Sequence, residues 1–169
     1  MAADRRSFLK RISALGAAFA ALGTLAPALR TFASPLFARG KPREWVRLGE
    51  ASEFELDVPT KVDFVQQISD AWVESRALHD VWVFTDDGET FMVYSGRCPH
   101  LGCGFGFDAV KKEFHCPCHH GLFAVKDGAV KGGPPPRGLD MLETKIEHGI
   151  LYVDYRDFRV GVPDKIPLA

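Results

Sequence analysis

Residues 114 to 123 read FHCPCHHGLF, with two cysteines and three histidines between positions 115 and 120. A second box lies upstream, Cys98-Pro99-His100-Leu101-Gly102-Cys103. Thiolates and imidazoles are the side chains that select borderline and soft metals. All 4 cysteines of the chain fall within these 21 residues, which scattered core cysteines would not do. Cys-x-His in one loop and Cys-x-x-His in the other let each loop offer one thiolate and one imidazole. In a turn, residues three apart share a face, so Cys116 and His119 can converge while Cys118 points elsewhere. Cys103 is similarly left over in the first box. A structural zinc site of Cys2His2 type accepts such ligands, but zinc fingers pair their ligands closely and usually leave no spare cysteines. Four cysteines permit three disulfide pairings.

The residues that must position these boxes read as short strands. From Glu44 onward there is no helical period, only β-prone runs broken by turn residues. Val81-Trp82-Val83-Phe84 and Thr90 to Tyr94 flank Asp86-Asp87-Gly88, a hairpin signal. Leu142 to Ile146 and Ile150 to Val153 flank His148-Gly149, a second one. Phe64 to Trp72 is expected to pair with the Trp82 strand, and Gly121 to Val125 with Ala129-Val130 across Asp127-Gly128. The expectation is an all-β antiparallel sandwich or partly open barrel, with the metal window inserted between strands and Trp45, Trp72 and Trp82 in its core. Gly102, Gly104 and Gly106 lack the strand-to-helix setting of a nucleotide fingerprint. A net charge of -1 leaves no electrostatic footprint for nucleic acid.

The N-terminus carries different information. Arg5-Arg6-Ser7-Phe8-Leu9-Lys10 resembles a twin-arginine export signal, a route that moves proteins already folded around a cofactor. The apolar run from Ile12 to Leu29 reaches roughly 27 Å as a helix, close to a hydrocarbon layer of about 30 Å. Residues 1–11 are therefore read as a cytoplasmic twin-arginine segment and 12–30 as a retained transmembrane helix. Residues 31–43, with Pro35, Gly40 and Pro42, read as a flexible tether, and a globular domain occupies 44–169.

The spacing of the two boxes and their spare cysteine pair resemble the Rieske iron–sulfur family, in which Cys-x-His-x-Gly-Cys and Cys-x-Cys-His are the two cluster-binding loops. The resemblance covers roughly Trp45 to the C-terminus. It implies a Rieske-type antiparallel β-sandwich with an inserted cluster-binding subdomain at about 95–138, preceded by the single transmembrane helix. It also implies one [2Fe–2S] cluster per chain, with Cys98 and Cys116 on the inner iron and His100 and His119 on the outer iron. Cys103–Cys118 would be the family's bridge, with a loop-closure effect of about 3 kcal/mol for about 15 residues; export supplies the oxidising compartment it needs. Gly132-Gly133-Pro134-Pro135-Pro136 looks like the family's proline loop, which covers the cluster. His115 and His120 are then bystanders.

Anchor, tether and bridge together resemble the Rieske subunit of a quinol–cytochrome c reductase, the cytochrome bc-type complex. The resemblance implies an iron–sulfur subunit of a multisubunit oxidoreductase in the bacterial inner membrane, with its head domain on the periplasmic side. There His119 would contact the quinol and accept an electron with a proton. The head would then swing on its tether from a cytochrome b subunit to a c-type cytochrome, contributing to a proton gradient. High-potential members usually read Cys-Pro-Cys-His-Gly-Ser-x-Tyr, whereas here the last four positions are His120, Gly121, Leu122 and Phe123. Two hydroxyl donors to the cluster are thereby absent, and a low potential matched to menaquinol is expected. The alternatives are a Rieske subunit of a periplasmic oxidase of the arsenite-oxidising type and a zinc-stapled binding module.

Overall fold

The computed structural model describes residues 4–37, 45–70 and 73–168. The chain divides into two compact units, Met1–Lys41 and Pro42–Ala169.

The first unit holds one helix, α1 (Arg5–Phe37). Asp4 starts it: its carboxylate accepts the Arg6 N–H at 3.2 Å and the Ser7 hydroxyl at 3.1 Å, the usual way to satisfy free N–H groups in a first turn. Over Arg5–Ala33 the helix is long and apolar enough to cross a membrane, with mean hydropathy 1.7 in its apolar 18-residue window. It continues past Arg30, where the sequence reading ended it, and takes in residues 31–37 of the expected tether. Ala, Leu and Phe carry on the helical composition there, and the Thr31 hydroxyl donates back to the Pro27 carbonyl at 2.9 Å. This is the ordinary back-bond of a helical threonine to the carbonyl four residues earlier. The rest of the expected tether, 38–43, lies outside the described residues.

The second unit is all β. Its strands are β1 (Trp45–Glu50), β2 (Thr60–Asp70), β3 (Val73–Phe84), β4 (Met92–Ser95), β5 (Gly106–Asp108), β6 (Glu113–Cys116), β7 (Gly121–Ala124), β8 (Val130–Gly132), β9 (Met141–Glu147) and β10 (Ile150–Asp154). A six-stranded sheet runs β1-β10-β9-β4-β3-β2, and a four-stranded sheet runs β5-β6-β7-β8. Every pairing is antiparallel. The four expected hairpins form: β3 with β4, β9 with β10, β2 with β3, and β7 with β8. Sequence reading missed β1, β5 and β6 as strands, because each is short and lacks a turn signal pairing it to a neighbour.

The alternation of side chains along β3 and β4 explains how the sheets join. Val81, Val83 and Val93 turn to one face and meet Phe64, Leu142, Leu151 and Val153 in the first core. Val46 and Leu48 of β1 pack on the same core as Phe64 of β2. The opposite edges of the large sheet therefore reach one interior, and the sheet curls around it. Trp82 and Tyr94, one residue out of phase, turn to the other face and build a second core with Phe105, Phe114, Phe123 and both free cysteines, as the period of two requires. Phe114, fully buried, has the rings of Trp82 and Phe105 at 5.3 Å and of Tyr94 at 6.0 Å. Trp82 thus belongs under the metal loops rather than to the main sandwich core. Trp45 is only half-buried, with the Lys145 ammonium 4.6 Å from its ring centroid. Trp72 lies outside the described residues.

Candidate metal centre

The two boxes become two loops standing on the second core. The first is Cys98 to Cys103, pinched at its base by the Arg97–Gly104 bridge. Inside it the Cys98 N–H donates to the Cys103 carbonyl and the Gly102 N–H to the Cys98 carbonyl, both at 2.8 Å. Gly102 has φ +78, a conformation glycine adopts without penalty. The second loop caps the β6–β7 hairpin, where Cys116 pairs with Gly121, so residues 117–120 form the tip. His120 takes φ +56 to close that turn.

Cys103 and Cys118 are joined by a disulfide spanning 15 residues, which ties one loop to the other. Cys98 and Cys116 stay free, with 1% and 2% exposure. The sulfurs of Cys103, Cys116 and Cys118 all lie within 4.8 Å of one another. Two of those three are bonded together and cannot serve as thiolates, so that trio is not the ligand set. The usable thiols are Cys98 and Cys116. Burial pushes the Cys98 thiol up to about 11, with the neighbouring Cys116 adding to the rise while the His100 and Leu101 backbone N–H groups oppose it.

The His100 and His119 rings meet edge to face with centroids 4.8 Å apart; His100 is half-buried and His119 exposed. His115 and His120 engage each other instead, stacked at 11° with ring nitrogens 3.3 Å apart. Two buried thiols below, two converging imidazoles toward solvent and a covalent tie between the loops make a donor set that fits a binuclear iron–sulfur group.

The lid follows β8. Gly133 has φ +86, and a Cβ there would lie 2.5 Å from the His120 carbonyl oxygen. Pro135 is buried over the second loop, and a Cβ at Gly121 would stand 2.8 Å from its Cγ. The proline run therefore packs directly on the residue that follows the histidine pair.

Sequence reasoning missed two contributors. Arg137 forks onto Asp140, and the segment after β10 folds back so that the Gly161 N–H donates to the Pro99 carbonyl at 2.9 Å. Arg137 also donates to the Val162 and Arg159 carbonyls, and these distant backbone contacts, like that of Gly161, carry no local signal.

An all-β domain with a thiol–imidazole centre on paired loops is the class that fold and site define. The family model for the Rieske [2Fe-2S] domain matches residues 44–143. The chain belongs to that family and has its single [2Fe–2S] cluster. It is 34% identical over 88% of its length to the menaquinol:cytochrome c reductase iron-sulfur subunit of Geobacillus thermodenitrificans, covering 89% of that protein. The Bacillus subtilis subunit of the same description is 33% identical, with 89% of this chain and 90% of that one covered. The cytochrome b6-f complex iron-sulfur subunit of Chlorobaculum tepidum is 31% identical over 89% of this chain and 75% of that one.

Proposed function

We propose that the chain is the iron–sulfur subunit of a menaquinol–cytochrome c oxidoreductase, taking one electron and a proton from the quinol and passing the electron to a c-type cytochrome. The observation that carries this reading is the geometry of the paired loops: buried thiols at Cys98 and Cys116, a disulfide joining the loops, and the His100 and His119 rings 4.8 Å apart. Relatives named for that reaction match along nearly the whole chain, which favours it over an oxidase of the arsenite-oxidising type or a zinc module.

In this reading Cys98 and Cys116 hold one iron, and His100 and His119 the other. When bound, the cluster supplies a one-electron acceptor that histidine ligation makes less negative, and so more readily reduced, than an all-cysteine one. His119, exposed at the loop tip, accepts a hydrogen bond from the quinol hydroxyl. With one ring nitrogen on the iron, the other would have to be deprotonated to accept that bond, and it would then take the hydroxyl proton as the electron leaves the quinol. The His100 and Leu101 backbone N–H groups, which oppose the rise in the Cys98 thiol, would offset charge on its sulfur. The Cys103–Cys118 bridge and the Pro135 contact hold the loops in register.

The potential should be low for the family. Gly121 and Phe123 bring no hydroxyl to the site. If each missing donor is about 1–3 kcal/mol weaker support for the reduced state, the shift is roughly 40–130 mV per bond. Residues 12–30 then anchor the protein in the bacterial inner membrane, and the head of residues 44–169 lies on the periplasmic side.

Redox titration of the full chain, purified from membranes in mild detergent, tests the reading. We expect a brown protein with acid-labile sulfide, reduced by a menaquinol analogue, and a midpoint in the lower half of the Rieske range of about -150 to +300 mV. A colourless protein binding one divalent metal would sink the assignment, and a midpoint near the top of that range would sink its menaquinol part.

A further inference from the structure

Arg137, immediately after the three prolines, is 9% exposed at its side chain and makes an ion pair with Asp140, 5% exposed, at 2.8 Å. Its Nε donates to Asp140 Oδ1 at 2.9 Å and its Nη2 to Oδ2 at 2.8 Å, the bidentate fork that only a guanidinium offers. Two further N–H groups reach backbone carbonyls. Nη1 donates to the Val162 carbonyl at 2.6 Å and Nη2 to the Arg159 carbonyl at 2.9 Å.

Those carbonyls belong to a turn in the C-terminal segment. The segment doubles back on itself, with the Arg159 N–H on the Ile166 carbonyl at 2.9 Å and the Leu168 N–H on the Asp157 carbonyl at 2.8 Å. Its turn ends on Gly161, at φ +75, whose N–H donates to the Pro99 carbonyl at 2.9 Å. A Cβ at Gly161 would stand 3.5 Å from the His100 carbonyl oxygen. The same segment reaches the base of that loop through the Arg97–Asp157 pair at 3.4 Å. On the other side of the guanidinium, the Asp140 carbonyl accepts the Ser95 N–H at 2.9 Å, on the strand that leads into the loop.

We propose that Arg137 is a positioning residue for the redox site: through the Arg159–Val162 turn it sets where the Pro99–His100 backbone stands, and through the adjoining prolines it couples that position to the loop carrying His119. The C-terminal segment is then part of the site. A buried charge pair that also grips two backbone carbonyls gives rigid geometry of this kind. The inference rests on the reading that His100 and His119 are cluster ligands.

Arg137→Lys keeps the charge beside Asp140 but cannot reach the fork and both carbonyls together. Gly161→Ala perturbs the same path from the far end and leaves the Arg137–Asp140 pair intact. Both are made in the full-length protein and read by amide hydrogen exchange, by the electron paramagnetic resonance spectrum of the reduced protein, and by its midpoint. We expect iron and sulfide content to hold and exchange at the Gly161 and Gly102 amides to quicken about tenfold, the scale of one lost charge-assisted bond. Exchange in β9 and β10 should stay unchanged. The resonance should broaden and the midpoint move in both variants. The double variant should show little more than the larger single change, as residues on one path do. A lowered melting temperature with an unaltered spectrum and midpoint in both would overturn the proposal, leaving Arg137 a purely structural residue. A parent without iron or sulfide would instead sink the ligand reading, and the Gly161 and Gly102 amides would still decide whether Arg137 holds the loop.

Discussion

At the scale of single residues, Gly121 is where packing and redox chemistry meet. A side chain there would place its Cβ 2.8 Å from Pro135 Cγ and 3.4 Å from Phe123 Cε2. The ring of a buried proline cannot swing aside, so a serine hydroxyl is shut out by the lid as well as missing from the sequence. We expect Gly121→Ser alone to lower the melting temperature without a clean rise in midpoint. Combined with Pro135→Ala it should regain stability and raise the midpoint by roughly 40–130 mV. A double variant that titrates like the parent would show that the hydroxyl does not act on the cluster. Cys118 offers a second residue-level test. Replacing both Cys103 and Cys118 with alanine removes the tie between loops 15 residues apart. A loss of about 3 kcal/mol in unfolding free energy is expected, measured by denaturant titration against the oxidised parent.

At the scale of elements, hairpins decide where the loops stand, and their turns carry the order. Asp87 anchors the β3–β4 connection: its Oδ1 accepts the N–H groups of Glu89 at 2.8 Å and Thr90 at 2.6 Å. Those bonds hold its carboxyl well below the usual range, at about 2, with the Thr90 N–H the largest cause. Since the folded value lies below the unfolded one of about 3.9, the stabilisation is present above pH about 4. It is lost as pH falls through about 2. Melting curves of parent and Asp87→Asn should therefore differ at pH 7 and converge as the pH drops toward 2. A gap that stays constant over that range would contradict the hydrogen-bond account. The lid is subject to a steric limit as well. Gly133→Ala combines φ +86 with a Cβ 2.5 Å from the His120 carbonyl oxygen, and should detach the prolines and speed cluster loss in air, followed by visible absorbance.

At the scale of the whole molecule, a helix by itself and a β domain by itself make up the described protein. Among the described residues, the core clusters of the β domain draw on positions from Val46 to Phe158. An anchoring role for α1 predicts that the mature protein keeps Arg5 and Arg6, seen in the intact mass of protein extracted from membranes. A mass beginning after residue 30 would mean that the segment served export only. Impermeant labelling of exposed lysines from the periplasmic face of intact cells would place the head domain; labelling only after cell breakage would reverse the topology.

Much of the chemistry could be read along the chain because ligand-type spacing is local: the proposed ligands Cys98, His100, Cys116 and His119 lie in two short boxes, and the spare pair Cys103 and Cys118 does form its bridge. Hairpins such as Asp86-Asp87-Gly88 were legible for the same reason, since a turn depends on adjacent dihedral angles. What only the tertiary structure decided is how those boxes are held. Trp82 serves the metal loops rather than the main core, Pro135 closes on Gly121, and a buried Arg137 grips two carbonyls some twenty residues downstream. Backbone carbonyls are the same in every residue, so no side-chain pattern announces which of them a distant guanidinium will find; folding brings them together.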